Sequence, residues 1–369
     1  MNPLLEISKQ GQSIWLDLLS RKIMDSDELQ KLIDEDGLGG LTSNPSIFEK
    51  AIGNGTDYDA DIAKLAKTEE NNESIFFGLA IKDIQRAADL FEPVYDKAHG
   101  EDGFVSLEVS PLLARDTEGT IEQARKLWKK VDRKNVMIKI PGTAEGLPAI
   151  RKCIGEGINI NITLLFGLPR YGEVIEAYLG GLEDRLNANE PIDQIASVAS
   201  FFLSRIDVMI DPMLEDKGLM ELKGEVAIAS AKKAYQMYLE VFTSDRFKKL
   251  EAKGAKPQRV LWASTSAKDP SFSDVKYVEA LIGKNTINTL PKDTLEAFRD
   301  HGKVTNDLTK NLDRATKVLQ LLKDKGIDLD RITQKLENEG IEKFNASFNT
   351  LLKGIEEQKK KTNPSHSPR

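Results

Sequence analysis

Thiol chemistry has little to work with in this chain. It holds a single cysteine, Cys153. An intramolecular disulfide is therefore excluded, and a reducing, cytoplasmic setting is expected. Cys153 follows Lys152 in a helical context and reads as a buried structural thiol rather than a nucleophile. Histidine is almost as scarce. His99, His301 and His366 are the three present, too scattered to form a metal-binding pattern. Net charge is −7, with no strongly basic block outside the tail, which argues against nucleic acid as a partner. No apolar run is long enough to span a membrane. The first residues, Met1-Asn2-Pro3-Leu4-Leu5-Glu6, carry no signal-peptide pattern. A P-loop is missing, and Gly37-Leu38-Gly39-Gly40 lacks the remaining glycine of a dinucleotide fingerprint.

What the chain does have is alternation between strand-like and helical patterns. Its 369 residues, 40% of them hydrophobic, suffice for one large barrel or two ordinary domains. Eight short runs read as strands: 13–17, 39–43, 103–109, 135–140, 158–163, 196–201, 259–264 and 285–290. Helical stripes lie between them. Phe76, Ala80, Ile84, Ala87 and Phe91 mark one, and Ile121, Ala124, Trp128 and Val131 another. Tyr171, Val174, Tyr178 and Leu182 form a third, and Ala227, Ala231, Ala234 and Tyr238 a fourth. Leu308, Leu312, Ala315, Leu319 and Leu322 mark the helix expected after the last strand.

This order predicts a (β/α)8 TIM barrel with extra helices inserted and a C-terminal helical extension, one domain over residues 1–357. A doubly wound sheet is the rival. The long connections 44–102 and 202–258 are expected to hold the extra helices. Beyond residue 328, Ile341, Phe344, Phe348, Leu351 and Ile355 keep one helical register. Two aromatics on that stripe raise the expectation that this helix covers the active site. Residues 358–369 are charged, then rich in Pro and Ser, and are expected to be disordered.

Single strand faces carry polar residues. In Phe104-Val105-Ser106-Leu107-Glu108-Val109, the residues Val105, Leu107 and Val109 share one face while Ser106 and Glu108 share the other. In Ile158-Asn159-Ile160-Asn161-Ile162-Thr163 the isoleucines oppose Asn159, Asn161 and Thr163. Lys139, in Asn135-Val136-Met137-Ile138-Lys139-Ile140, likewise opposes Val136, Ile138 and Ile140. A parallel strand buried on both sides reads as continuously apolar. A barrel accounts for the exception, with apolar faces against the helices and polar faces inside. Asp17, Asn44, Glu108, Lys139, Thr163 and Ser200 all fall near strand ends, where the sites of such barrels gather.

Burying an unpaired ammonium is costly, so Lys139 needs partners or a lowered pKa. A neutral amine in such surroundings forms Schiff bases with carbonyl substrates. Taken alone, the segment better suits a lysine at a strand end that reaches solvent or pairs with a carboxylate. Attack on a ketone needs proton transfer, which suits Glu108 with Thr163 positioning a water. Carbon–carbon cleavage needs a base, and Asp17 is the candidate; a helix cap or a surface turn is its alternative. Asn44 and Asn161 suit hydrogen bonds to a polyhydroxylated substrate, although Asn44 also fits a plain cap before Pro45. Arg205 suits a phosphate at the barrel mouth, or else a salt bridge with Asp207 or Asp211. Ser264, Ser266 and Lys268 follow the seventh strand, where barrels often bind phosphate; a plain polar loop is the alternative.

Together these segments resemble transaldolase, a Schiff-base aldolase of the pentose phosphate pathway. The resemblance rests on Trp15-Leu16-Asp17, Leu41-Thr42-Ser43-Asn44-Pro45-Ser46, Ser106-Leu107-Glu108-Val109, Ile138-Lys139-Ile140-Pro141-Gly142-Thr143 and Asn161-Ile162-Thr163-Leu164-Leu165-Phe166. Residues 200–205 and Trp262-Ala263-Ser264 extend it. Chain length and the insert after Asn44 look like the longer bacterial-type branch. The resemblance implies transfer of a dihydroxyacetone unit from sedoheptulose 7-phosphate to glyceraldehyde 3-phosphate, giving erythrose 4-phosphate and fructose 6-phosphate. Lys139 would form the Schiff base, Asp17 would act at the cleaved bond, and Glu108 with Thr163 would activate water. Asn44, Ser106, Asn161 and Ser200 would bind the three-carbon unit, and Arg205 the phosphate. No metal or organic cofactor is implied, and monomer or homodimer is left open. One departure stands out. Many family members carry a second phosphate-binding arginine two residues after the serine matched by Ser264, and this chain has Ser266 there. Lys268 is the candidate substitute, without arginine's two-pronged geometry. A simple Schiff-base aldolase releasing free dihydroxyacetone, and a barrel that binds sugar phosphates without turnover, are the alternatives.

Overall fold

A computed structural model describes residues 2–53, 55–69 and 71–362. Eight strands form the centre: β1 (Gln12–Asp17), β2 (Gly40–Thr42), β3 (Phe104–Glu108), β4 (Val136–Pro141), β5 (Ile160–Leu165), β6 (Ser197–Phe202), β7 (Arg259–Ala263) and β8 (Thr286–Leu290). They pair in chain order, all parallel, and β8 closes on β1. This is the expected (β/α)8 barrel, and the doubly wound alternative is excluded.

The alternation read from the sequence decides which way each strand faces. Val105, Leu107, Val136, Ile138, Ile140, Ile160 and Ile162 are buried to within 1%. Each such side chain removed from water contributes about 2 kcal/mol. The opposite faces fill the interior. Trp15 fits beside β2 only because residue 40 is glycine: a Cβ there would lie 2.6 Å from the indole.

Both long connections hold the expected helices. Pro45–Gly53, Asp59–Leu65 and Asn72–Lys97 occupy the first; Ser204–Asp216, Val226–Phe242 and Asp245–Glu251 occupy the second. Among the described residues, no helix is long and apolar enough to cross a membrane.

Two expectations need correction. The helix directly after β8 is Lys292–His301, not the one marked by Leu312 to Leu322. It is short and buries only Thr294, Leu295 and Phe298, so it left no long stripe to read. Leu308 is buried but precedes the helix Leu312–Asp324. The last helix, Leu329–Thr362, also runs into the segment expected to be disordered. Its Lys359, Lys360 and Lys361 are good helix formers and sit favourably at the negative end of the helix dipole. Residues 363–369 lie outside the described residues.

This C-terminal helix lies across the mouth of the barrel. Ile341, Phe344, Phe348, Leu351 and Ile355 are all buried. Phe348 packs edge-on against Phe76, with ring centroids 5.5 Å apart. Polar contacts tie the helix to segments that follow the strands. Ser347 Oγ is 2.8 Å from Ser46 Oγ after β2. Arg115, after β3, donates to Asn338 Oδ1 at 2.7 Å. Arg170, after β5, pairs with Glu337 at 3.4 Å.

Candidate active site

Register brings the polar side chains together. Glu108 stands opposite Lys139, and Lys139 opposite Asn161, so β3, β4 and β5 present one layer. Asp17, on β1, stands opposite Thr42 on β2.

Lys139 is 4% exposed and Glu108 5%. Lys139 Nζ lies 3.2 Å from Glu108 Oε2 and donates to the Ser43 carbonyl at 3.0 Å. The ammonium is thus partnered, as burial requires. Burial pushes the Glu108 carboxyl above its ordinary pKa; the charge of Lys139 works against this and that of Asp17 adds to it. Asp17 accepts from Thr42 Oγ1 at 2.7 Å, and Thr42 Oγ1 is also 2.7 Å from Thr289 Oγ1. The Asp17 carboxyl is raised as well, again by burial, opposed by Lys139 and Thr42. Its helix-cap and surface-turn alternatives do not hold, because Ser20 caps the following helix.

A second chain of contacts orders the amides. Asn161 Nδ2 donates to Ser106 Oγ at 3.0 Å, and Ser200 Oγ donates to Asn161 Oδ1 at 2.7 Å. These bonds fix which way the Asn161 amide points. Thr163 Oγ1 and both Glu108 oxygens are buried with no hydrogen bond among the described residues, the ion pair to Lys139 aside. Buried polar atoms normally find such partners, so they mark where a polar guest fits. Next to Thr163, Leu164 adopts a left-handed φ of 55°, where β5 and β6 shift register. Such a backbone is costly for leucine.

Asn44 takes the capping role considered for it. Its Oδ1 accepts from the Ile47 amide at 3.0 Å as a helix cap, which leaves Nδ2 as a donor beside Ser43.

Arg205 makes neither of the salt bridges considered for it. Asp207 accepts from the Ala227 amide and the Tyr277 hydroxyl, and Asp211 from the Gly224 amide. The Arg205 guanidinium carbon lies 5.8 Å from the Phe202 ring centroid. Burial lowers its pKa, with Glu339 opposing. Ser264 Oγ bonds Ser204 Oγ at 2.9 Å, and Lys268 Nζ donates to Ser266 Oγ at 2.6 Å. Lys268 is likewise held below its ordinary pKa, by burial and by the charges of Arg205 and Lys343. Ser264, Lys268 and Arg205 therefore form a separate cationic corner at the ends of β6 and β7.

Sequence reasoning overlooked Thr42, Thr289 and Lys343. The first two were discoverable: polar residues at the ends of β2 and β8 obey the same rule as Glu108. Among the described residues, no group of three or more His, Cys, Asp or Glu is placed to hold a metal ion.

A family model described as Transaldolase/Fructose-6-phosphate aldolase matches residues 14–355. A transaldolase of Trichodesmium erythraeum is 49% identical, covering 98% of this chain and 99% of its own. One from Saccharopolyspora erythraea is 49% identical over 95% and 96%. Transaldolase 2 of a Nostoc species is 48% identical over 99% of both chains. Matches of this identity across whole chains span the barrel, its inserts and the C-terminal helix, and the chain belongs to the transaldolase/fructose-6-phosphate aldolase family.

Proposed function

We infer that the protein is a transaldolase that moves a dihydroxyacetone unit between sugar phosphates through a Schiff base on Lys139. The observation that carries this is the Lys139 amine sealed inside the barrel, 3.2 Å from a carboxylate whose pKa is raised by burial. Such a carboxylate is suited to take the proton that the amine gives up before attack.

The amine adds to the ketone carbon of sedoheptulose 7-phosphate. Glu108, with water on Thr163 Oγ1, moves protons as the carbinolamine forms and loses water. Asp17 takes the proton of the hydroxyl at the bond to be cleaved, and the bond breaks to release erythrose 4-phosphate. The remaining three carbons stay on Lys139 as an enamine. They add to glyceraldehyde 3-phosphate, and hydrolysis frees fructose 6-phosphate. Ser106, Asn161, Ser200 and Asn44 hold the hydroxyls of the three-carbon unit. Arg205, Ser264 and Lys268 hold the phosphate. These substrates are those of the pentose phosphate pathway, and a cytoplasmic location accords with that role.

Borohydride added with fructose 6-phosphate tests this reading. A three-carbon adduct on Lys139 is expected by peptide mass mapping; an adduct on another lysine overturns the assignment. Products with and without an aldehyde acceptor separate transfer from release of free dihydroxyacetone. The Lys139–Glu108 ion pair also suits a barrel that binds sugar phosphates without turnover. Absence of turnover in the parent, with sugar phosphate still bound by Lys139→Ala, favours that second reading.

A further inference from the structure

We propose that Lys343, on the C-terminal helix, contacts the substrate phosphate and makes that helix one wall of the phosphate pocket with Arg205 and Lys268. The inference rests on the placement of the phosphate at Arg205 given above.

Two observations converge on it. The C-terminal helix passes directly over Arg205: a Cβ built on Gly340 would lie 3.8 Å from Arg205 Nη1 and 2.9 Å from Leu164 Cδ2. Lys343 is three residues further along, on the same helical face. It is exposed and makes no ion pair or hydrogen bond among the described residues. Its charge reaches Lys268, as does that of Arg205.

The charges of Arg205 and Lys343 thus both bear on Lys268. No carboxylate forms an ion pair with any of them among the described residues, and Glu339 bears on Arg205 only at longer range. Crowded like charges destabilise one another. A phosphate dianion at their centre relieves that repulsion, and ammonium groups bind it as point charges without arginine's geometric demand.

The test uses the full-length protein with inorganic phosphate as a competitive inhibitor against fructose 6-phosphate. Lys343→Gln should raise the phosphate inhibition constant about tenfold, the scale of one lost contact to a charged group. The preference for fructose 6-phosphate over unphosphorylated fructose should fall by a similar factor. Lys343→Arg should restore both. An unchanged inhibition constant in Lys343→Gln overturns the inference, as does an equal loss on fructose and fructose 6-phosphate, which marks a structural role. Arg205→Gln separates the two levels of the proposal. If it weakens phosphate while Lys343→Gln does not, only the role of the helix falls. If neither weakens phosphate, its placement at Arg205 falls too.

Discussion

Lys139 and Glu108 face each other across neighbouring strands, 3.2 Å apart and nearly sealed from water. Removing one partner strands the other. Lys139→Met should cost about 3 kcal/mol of stability at neutral pH, the range for breaking a buried pair. The Glu108 pKa is already raised, so protonation at low pH relieves a lone carboxylate. Stability tied to such a group is present below its unfolded pKa and is lost as pH rises through the folded value. The loss should therefore be smaller at pH 5 than at pH 8, and Glu108→Gln added to Lys139→Met should recover much of it. Urea midpoints of the single and double variants at both pH values check this.

Asp17→Asn should separate imine formation from carbon–carbon cleavage. The asparagine keeps the acceptor for Thr42 but cannot take a proton. Turnover should fall by about a thousandfold, within the range for a lost general base. Borohydride with fructose 6-phosphate should then leave an adduct holding the intact six-carbon sugar. A three-carbon adduct in this variant would assign the base elsewhere.

Asp207 gives a prediction away from the chemistry. Burial lifts its carboxyl to about 6, despite bonds from Tyr277 and the Ala227 amide. The folded value exceeds the unfolded one, so its contribution to stability is present below about pH 4 and is lost as pH rises through about 6. Asp207→Asn keeps an acceptor for Ala227 and offers Tyr277 an amide. It should remove that part of the pH dependence between about 4 and 6, as read from denaturation midpoints across that interval.

The C-terminal helix should be held by both ends of its contact with the mouth. Phe348→Ala should cost about 3–5 kcal/mol, because the ring is 1% exposed and packs on Phe76. Gly340→Val should cost about 1–3 kcal/mol by overpacking against Leu164. It should also raise KM for phosphorylated substrates, since the displaced turn leads to Lys343. Thermal denaturation and steady-state kinetics distinguish the two effects.

The barrel was legible because its signal is local. Each strand alternates, so Val105, Leu107 and Val109 announced the outer face and Glu108 the inner one without knowledge of any neighbour. The strand positions followed to within one or two residues at each end. Lys139, Glu108 and Asn161 were legible for the same reason: each is a polar residue alternating with apolar ones along a strand. Lys343 broke nothing. It is one of many lysines on a 34-residue helix, and only folding brings its charge to bear on Lys268. Thr42 was visible within a quoted motif but had no assigned role, because its link to Asp17 crosses between strands. The helix Lys292–His301 was missed because so short an element buries too few side chains to show a period.

The pairing of β1 with β8 has a consequence for biosynthesis. Gln12 and Thr286, which meet in that seam, are 274 positions apart. A ribosome therefore delivers the first strand long before the one that seals its open side. Until then the nascent chain presents an unsatisfied row of backbone donors and acceptors, the kind of edge that recruits foreign strands. Chaperone dependence during translation should accordingly fade once β8 has emerged from the exit tunnel.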